Sequence, residues 1–544
     1  MSAPTAHPET SAAPGIARAA LVIAAVTTAA RLAGFARVVV FARIVGPSCL
    51  GDTYVTANTV PNIIFDIVAG GALSSLVVPV LAGPAAAGAR DVVDRTTSAL
   101  LTWAVSILVP IMVVGLLLTH PLVRVLVGHG HHGCTANSEV AIGARMLAVF
   151  MPQVVLYGAA VVLIGVLQAH RRFVGPALGP LVSSLVVIAA YVVFGAVAAH
   201  EETRLATLTR GHELILSLGT TLGVAALLLT LVVPAVRLGI RLRPTYRFPP
   251  GVGATIRAMA LSGAVVVGSS DLATAVVLRL TNSRGVDGSV VLYNLAWTVF
   301  TVPWAVAAVP LATSAFPGLT ATWQSGDRAA YTSTAARTAR AMLVVVAATA
   351  AVMGAAAGPV ARVVVLDAPG HVAPTILARG LATFAPGLLG YALVALMSRA
   401  LYAQGNARTP ATAVLGGWLV AVVVDIALAE AMPPGWTVAA VGIGTTVGVT
   451  VSGLWLLLAL RRSAGSAALS GLAKAATAAV AGGLAGAGGG VLLARAAPVK
   501  GVAGDLAVII GVAAIALAVH ALVVAVIDRP TLRMIAARAG LRRA

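Results

Sequence analysis

Three arginines sit inside one apolar run near the start of the chain: Arg31, Arg37 and Arg43. A guanidinium at mid-bilayer depth is costly unless it faces a cavity or a partner. Arg31 and Arg37 are therefore candidates for lining the path of an anionic substrate, with structural pairing as the alternative. Arg43 lies near the end of the run, where a long side chain reaches the interface. Spacing of six spreads the three around a helix in steps of about 120°. They share no stripe unless Gly34 breaks or bends the helix.

Carboxylates in apolar surroundings form the second set. Asp52 opens the next run; it either caps that helix or pairs with an arginine of the first run. Asp66 lies further along, near Gly70 and Gly71, and needs a partner, for which Arg31 or Arg37 is the obvious choice. Asp271 and Arg279 share a later run, with Arg279 near its outer end as a weaker substrate-binding candidate. Asp425 is flanked by Val422 and Leu428. Asp271 and Asp425, with Thr445 or Thr446, offer hard oxygen donors for Na+ or a proton. Hydrogen-bonded structural carboxylates are the alternative reading.

These residues need elements to carry them. The chain has 544 residues, 59% hydrophobic and 10% charged, and a mean hydropathy of +0.99. Soluble domains carry about a quarter charged residues, so a soluble globular protein is excluded. Breaks at Pro, Gly and charge clusters divide the chain into fourteen apolar segments, each long enough to span a bilayer. The second runs over 53–83 and the seventh over 254–281; Pro61, Pro152, Pro303, Pro310 and Pro386 are the expected kinks. An all-α bundle is the architecture that lipid permits. The run from Ile16 lacks a cleavage pattern and reads as a retained first span.

The net charge is +19. Basic residues are scattered between apolar runs, which argues against nucleic acid. With the N-terminus in the cytoplasm, inner segments hold about 21 Lys and Arg and outer loops about 7, so both termini fall inside. The tract Gly128–Cys134, with its three histidines, reads as a solvated outer loop rather than a metal site. Cys49 is also expected outside, where an oxidising compartment would allow a Cys49–Cys134 disulfide.

The chain also repeats. Gly71–Pro79 recurs as Val309–Pro317, each followed eleven positions later by an arginine, Arg90 and Arg328. Gln168–Pro176 resembles Gln404–Pro410. The offsets are 238 and 234. Two parallel six-helix halves are expected, 16–247 and 248–462, followed by two extra helices within 463–528. A polar tail (1–15) and a basic cytoplasmic tail (529–544) flank them. No hydrolytic or nucleotide motif is present, so no enzymatic activity is expected and energy must come from a gradient or the membrane potential.

The stretch Ala30-Arg31-Leu-Ala-Gly34-Phe35-Ala-Arg37, continuing through Arg43, Gly46, Asp52, Pro61-Asn62 and Gly71-Ala72, resembles the opening signature of the MurJ (MviN) lipid II flippases of the multidrug/oligosaccharidyl-lipid/polysaccharide exporter superfamily. Gly165–Gln168, Arg172-Phe173, Pro176, Pro180 and Arg399–Tyr402 with Thr409-Pro410 extend the resemblance over almost the whole chain. It implies a bacterial plasma-membrane protein of peptidoglycan synthesis that flips a polyprenyl-diphosphate-linked saccharide to the outer leaflet. Arg31 and Arg37 would then bind the diphosphate, Asp52 would support the outer gate, and Asp271, Asp425 and Thr445 or Thr446 would hold a coupling Na+ or H+. Membrane lipids and cell-wall synthesis proteins are the expected partners. The sequence departs from the family where basic residues often follow Pro-Asn: here Phe65-Asp66 stands. It departs again at Gly70, and in the stretch after Tyr293, which lacks an arginine. An exporter of another lipid-linked oligosaccharide, a drug/cation antiporter of the same fold, or a transport-inactive scaffold in cell-wall synthesis would also tolerate these changes.

Overall fold

The structure is a computed structural model; it describes residues 14–67, 77–128, 134–198, 205–248, 252–497 and 501–538. Among them, every regular element is a helix. α1 (Pro14–Ile44) turns at Gly46 into α2 (Cys49–Phe65). The Ser48 hydroxyl accepts from the Gly51 amide and caps α2. α3 (Val77–Ala86) leads into α4 (Arg90–Leu117), followed by the short α5 (Thr119–Val127). α6 (Ala136–Phe150) and α7 (Gln153–Ala169) form one span broken at Met151-Pro152, where proline lacks the amide that would continue the ladder. α8 (Val174–Val197) and α9 (Arg210–Val236) complete the first half.

The second half repeats this plan. α10 (Val252–Arg284) precedes α11 (Ser289–Pro303), a π-helical stretch Trp304–Ala308 and α12 (Val309–Gln324). α13 (Arg328–Ala355) and the nine-residue α14 (Ala357–Val365) come next. α15 (Pro374–Phe384) and α16 (Gly387–Ala403) break at Ala385-Pro386, and α17 (Arg408–Ala431) pairs with α18 (Thr437–Ala464). α4 and α13 both have 28 residues, α5 and α14 both nine, α8 and α17 both 24. α5 and α14 start at positions 238 apart, the same offset as the sequence repeat.

α19 (Leu472–Ala496) and α20 (Val502–Ile527) form an added hairpin, with α21 (Arg529–Arg538) beyond it. Two polar contacts seat the hairpin. The Arg362 guanidinium on α14 grips Asp505 at 2.6 Å, and buried His520 bonds the Val344 carbonyl at 3.0 Å. Apolar side chains cover the outside, with Leu117, Ile510 and Val526 largely exposed, as a lipid-facing surface requires.

Twelve segments among the described residues are long and apolar enough to cross a membrane. The remaining two of the fourteen expected, 53–83 and 254–281, both include residues whose placement or side chains lie outside the description. Pro152 and Pro386 act as expected. Pro303 precedes the π-helical stretch, Pro310 sits at the start of α12, and Pro61 is carried inside α2.

One end of the bundle holds the α1–α2 turn, α5, α14 and the disulfide Cys49–Cys134, whose Cα atoms are 5.8 Å apart. We call it the disulfide end. The other, basic end carries Arg171, Arg172, Arg328, Arg408, Arg461 and Arg462. Within the first half, Arg145 on α6 grips Glu213 on α9 at 2.6 Å, with the Glu213 carboxylate buried. Arg145→Ala leaves that carboxylate with only the exposed Arg210 at 3.6 Å. The expected cost is about 3 kcal/mol, read as a lower melting temperature of the purified chain, whereas Arg210→Ala should change it little.

Candidate substrate cavity and gate

α1 is one uninterrupted helix through Gly34, so no break brings Arg31 and Arg37 together. Among the described side chains, those of residues 25–32 are mostly exposed, those of 33–40 are half-buried, and Phe41 and Ala42 are buried. Arg31, on the exposed part, lines a cavity of about 400 Å3 with Thr27, Gln168, Phe173, Pro176 and Pro180. The last four come from the end of α7 and the start of α8. Arg37 is half-buried and interacts electrostatically with the hydroxyls of Tyr54, Tyr157 and Tyr191. Tyr54 bonds Tyr191 at 2.9 Å and also Thr220. The two arginines thus serve neighbouring faces of α1: one opens on a cavity, the other meets a buried tyrosine cluster. Polar aromatic residues at these depths carried no pattern that the sequence alone could mark.

Asp52 has a different task from both expected. Ser48 already caps α2, and among the described residues no arginine pairs with Asp52. Its carboxylate, 1% exposed, accepts from the amides of Gly288 at 2.8 Å and Val291 at 3.0 Å. It therefore caps α11, in the other half of the molecule. Free amides at a helix start carry partial positive charge, so a carboxylate there satisfies both geometry and dipole. Asn282 on α10 adds a bond to Thr56 at 2.9 Å. Gly46 and Gly288 have φ of +76° and +84°, and their backbones approach Pro369 and Pro47 so closely that a Cβ would collide with a carbonyl.

Arg279, expected as a weaker substrate-binding residue, reaches across the seam. Its Nη1 donates to the Val125 carbonyl of α5 at 2.9 Å, crossing from the second half to the first. Arg43 does not simply extend to the interface; its Nη2 donates to the Val363 carbonyl of α14, crossing the opposite way. Val125 and Val363 are 238 positions apart, so the two acceptors occupy matching places in the repeat. Cationic side chains at helix C-termini satisfy unpaired carbonyls and complement the dipole. At the disulfide end, Asp52, Arg43 and Arg279 all bond across the two halves, while the disulfide itself lies within the first.

Asp66 makes no ion pair with Arg31 or Arg37 among the described residues. It is half-buried beside Phe65, which stacks on Tyr157 at 4.9 Å, and it interacts electrostatically with Asp271 on α10. Asp271 is buried, and its Oδ2 has no hydrogen-bond partner. Asp425 is buried on α17 against Gly444, with Oδ1 also unpartnered. Thr445 is buried one position on. Thr446 faces elsewhere: its hydroxyl donates to the Thr383 carbonyl at 2.8 Å. Adjacent helical residues point about 100° apart, so Thr445 and Thr446 meet different neighbours.

Residues 41–510 match the family model described as lipid II flippase MurJ. The chain belongs to this family. A lipid II flippase MurJ from Burkholderia cenocepacia is 28% identical over 178 residues, covering 32% of this chain and 33% of that protein. The chain thus aligns with about a third of the length of that curated relative. Among solved structures, lipid II flippase MurJ in an inward closed conformation superposes with a TM-score of 0.72 at 16% identity, covering 94% of this chain and 99% of that one. An inward-facing multidrug resistance MATE transporter of the MOP superfamily gives 0.65 at 16% identity, covering 81% and 96%. A MOP transporter from Pyrococcus furiosus Vc1, titled for the reverse polarity of its binding pocket, gives 0.57 at 15% identity, covering 82% and 94%. The fold is that of MOP-superfamily transporters, and the protein is a multi-pass membrane protein of a flippase family rather than an enzyme.

The bonds across the disulfide end make a direct prediction. Spin labels at Arg124→Cys on α5 and Asp367→Cys after α14 report the separation of the halves at the disulfide end. Asp52→Ala and Arg279→Gln should each shift the distance distribution to longer values. A distribution unchanged by both would show that these bonds do not hold the gate.

Proposed function

We propose that the protein moves a polyprenyl-diphosphate-linked saccharide of the lipid II class across the membrane by alternating access. The observation that carries this reading is the asymmetry of the two ends. At the disulfide end, a carboxylate and two arginines tie the halves together; towards the basic end, α1 exposes Arg31 to a cavity. Guanidinium groups bind diphosphate oxygens through paired charge-assisted hydrogen bonds. Arg31 takes the head group first, and Arg37 sits two turns deeper for the next contact. Passage then requires Asp52, Arg43 and Arg279 to release their partners at the far end. The disulfide end faces the oxidising side of the membrane in this reading, which places both termini in the cytoplasm.

The unpartnered carboxylate oxygens of Asp271 and Asp425 support ion coupling. The residues present fit a proton better than Na+. A proton needs a single carboxylate oxygen, which each of these residues supplies, whereas sodium needs several oxygens converging on one point. When bound, a proton would remove the charge of a buried carboxylate; Asp271 lies on the seam near Asp66, where such neutralisation would relieve repulsion between the halves.

One observation favours a second reading. Asp66 stands where the family often carries a basic residue, and with Asp271 it gives this part of the seam an acidic character. A cavity of that polarity suits export of a cationic compound by the same fold. Complementation separates the two. In a bacterium depleted of its own flippase, the protein should restore growth, and Arg31→Ala and Arg37→Ala should each abolish rescue while membrane levels persist. Absence of rescue by the well-expressed wild type, with efflux of organic cations, would favour the second reading.

A further inference from the structure

The segment that joins the halves, 237–248, is not a helix beyond its first turn. It lies as a strap along α4. The Arg243 amide donates to Ser98 Oγ at 3.0 Å, and the Thr245 amide to Thr102 Oγ1 at 3.2 Å. The Tyr246 hydroxyl meets Ser106 Oγ at 2.8 Å. Ser98, Thr102 and Ser106 recur every four residues and so share one helical face. Trp103 Nε1 donates to the Tyr246 carbonyl at 3.2 Å, and the two rings meet edge to face at 5.3 Å.

The strap encloses two adjoining cavities, each about 280 Å3, that share Ser98 and Arg243. The one nearer the basic end is lined by Asp91, Asp94, Arg95, Arg241 and Arg243. Among the described residues none of these three arginines makes an ion pair, although two carboxylates line the same space. The second cavity lies further along α4 and is walled by Leu101, Val105, Leu242 and Pro244. Val105 and Ile107 are exposed on this helix, which places it at the lipid boundary. Trp103 and Tyr246 are the residue types that settle at the membrane interface.

Polar then apolar, in that order from the basic end inward, is the profile of an amphiphile standing in a leaflet. We propose that this composite site holds a membrane phospholipid with an anionic, hydroxyl-bearing head group. Arg95, Arg241 and Arg243 bind the phosphate, Asp91 and Asp94 accept from head-group hydroxyls, and one acyl chain occupies the slot beside Leu101, Val105 and Leu242. Three arginines against two aspartates leave a surplus positive charge for the anion. The site is distinct from the Arg31 cavity, which lies between α1 and the α7–α8 turn.

Native mass spectrometry of the full purified chain tests this, with phosphatidylglycerol and phosphatidylcholine as added probes. The wild type should retain phosphatidylglycerol preferentially. Arg95→Gln combined with Arg243→Gln should lower that occupancy about tenfold and remove the preference over phosphatidylcholine. Val105→Trp, a lipid-facing change that leaves the arginines in place, should lower it too by filling the slot. Both variants are checked for unchanged melting temperature and an intact disulfide. Wild-type phosphatidylglycerol occupancy in the double variant would overturn the proposal. So would displacement of that lipid by equimolar undecaprenyl diphosphate, which would assign the site to the substrate.

Discussion

A carboxylate belonging to one half of the molecule completes a helix belonging to the other. The first amides of α11 have no intrahelical acceptors, and in a low-dielectric setting such groups cannot be left unpaired cheaply. Asp52 supplies the acceptor, with bonds to Gly288 and Val291. The close backbone passage at Gly46 and Gly288 and the two crossing arginines extend the same joint. The closed disulfide end, and with it the placement of the α1 cavity towards the other end, follows from that joint. Opening this end exposes α11 amides as well as a buried carboxylate, so water must enter as the halves part.

Much of the fold was legible in the sequence because bilayer thickness and backbone satisfaction leave few options for long apolar runs. The repeat offset of 238 between Pro79 and Pro317 returns as the spacing of α5 and α14. Pro152 and Pro386 announced the two broken spans through their missing amides. The gate was less legible. Asp52 is more than 230 positions from its partners, which are backbone groups and leave no mark in residue type. Arg43 and Arg279 were readable as charges near helix ends, but their acceptors are carbonyls on the opposite half. Thr445 and Thr446 were interchangeable by composition, and only helical phase separates them.

Charge also divides more finely than net composition suggests. Much of the surplus stands at the basic end. Within the bundle, Arg31 and Arg37 meet different surroundings, and Asp66 contributes an opposing charge near Asp271. The interior is mixed in sign rather than uniformly cationic.

The opposed arginines have a consequence for how the closed state forms. Each half contributes one donor and one acceptor, so the two links are made by separate arms on a common body. Once one has formed, the other closes at a high effective concentration, as in bivalent binding. In the proposed alternating-access cycle, loss of either link alone leaves the second to recapture it quickly, and the end opens only when both links and the Asp52 bonds are free together. Avidity within a single chain then makes the gate behave as a two-position switch, although each contact taken alone is an ordinary hydrogen bond.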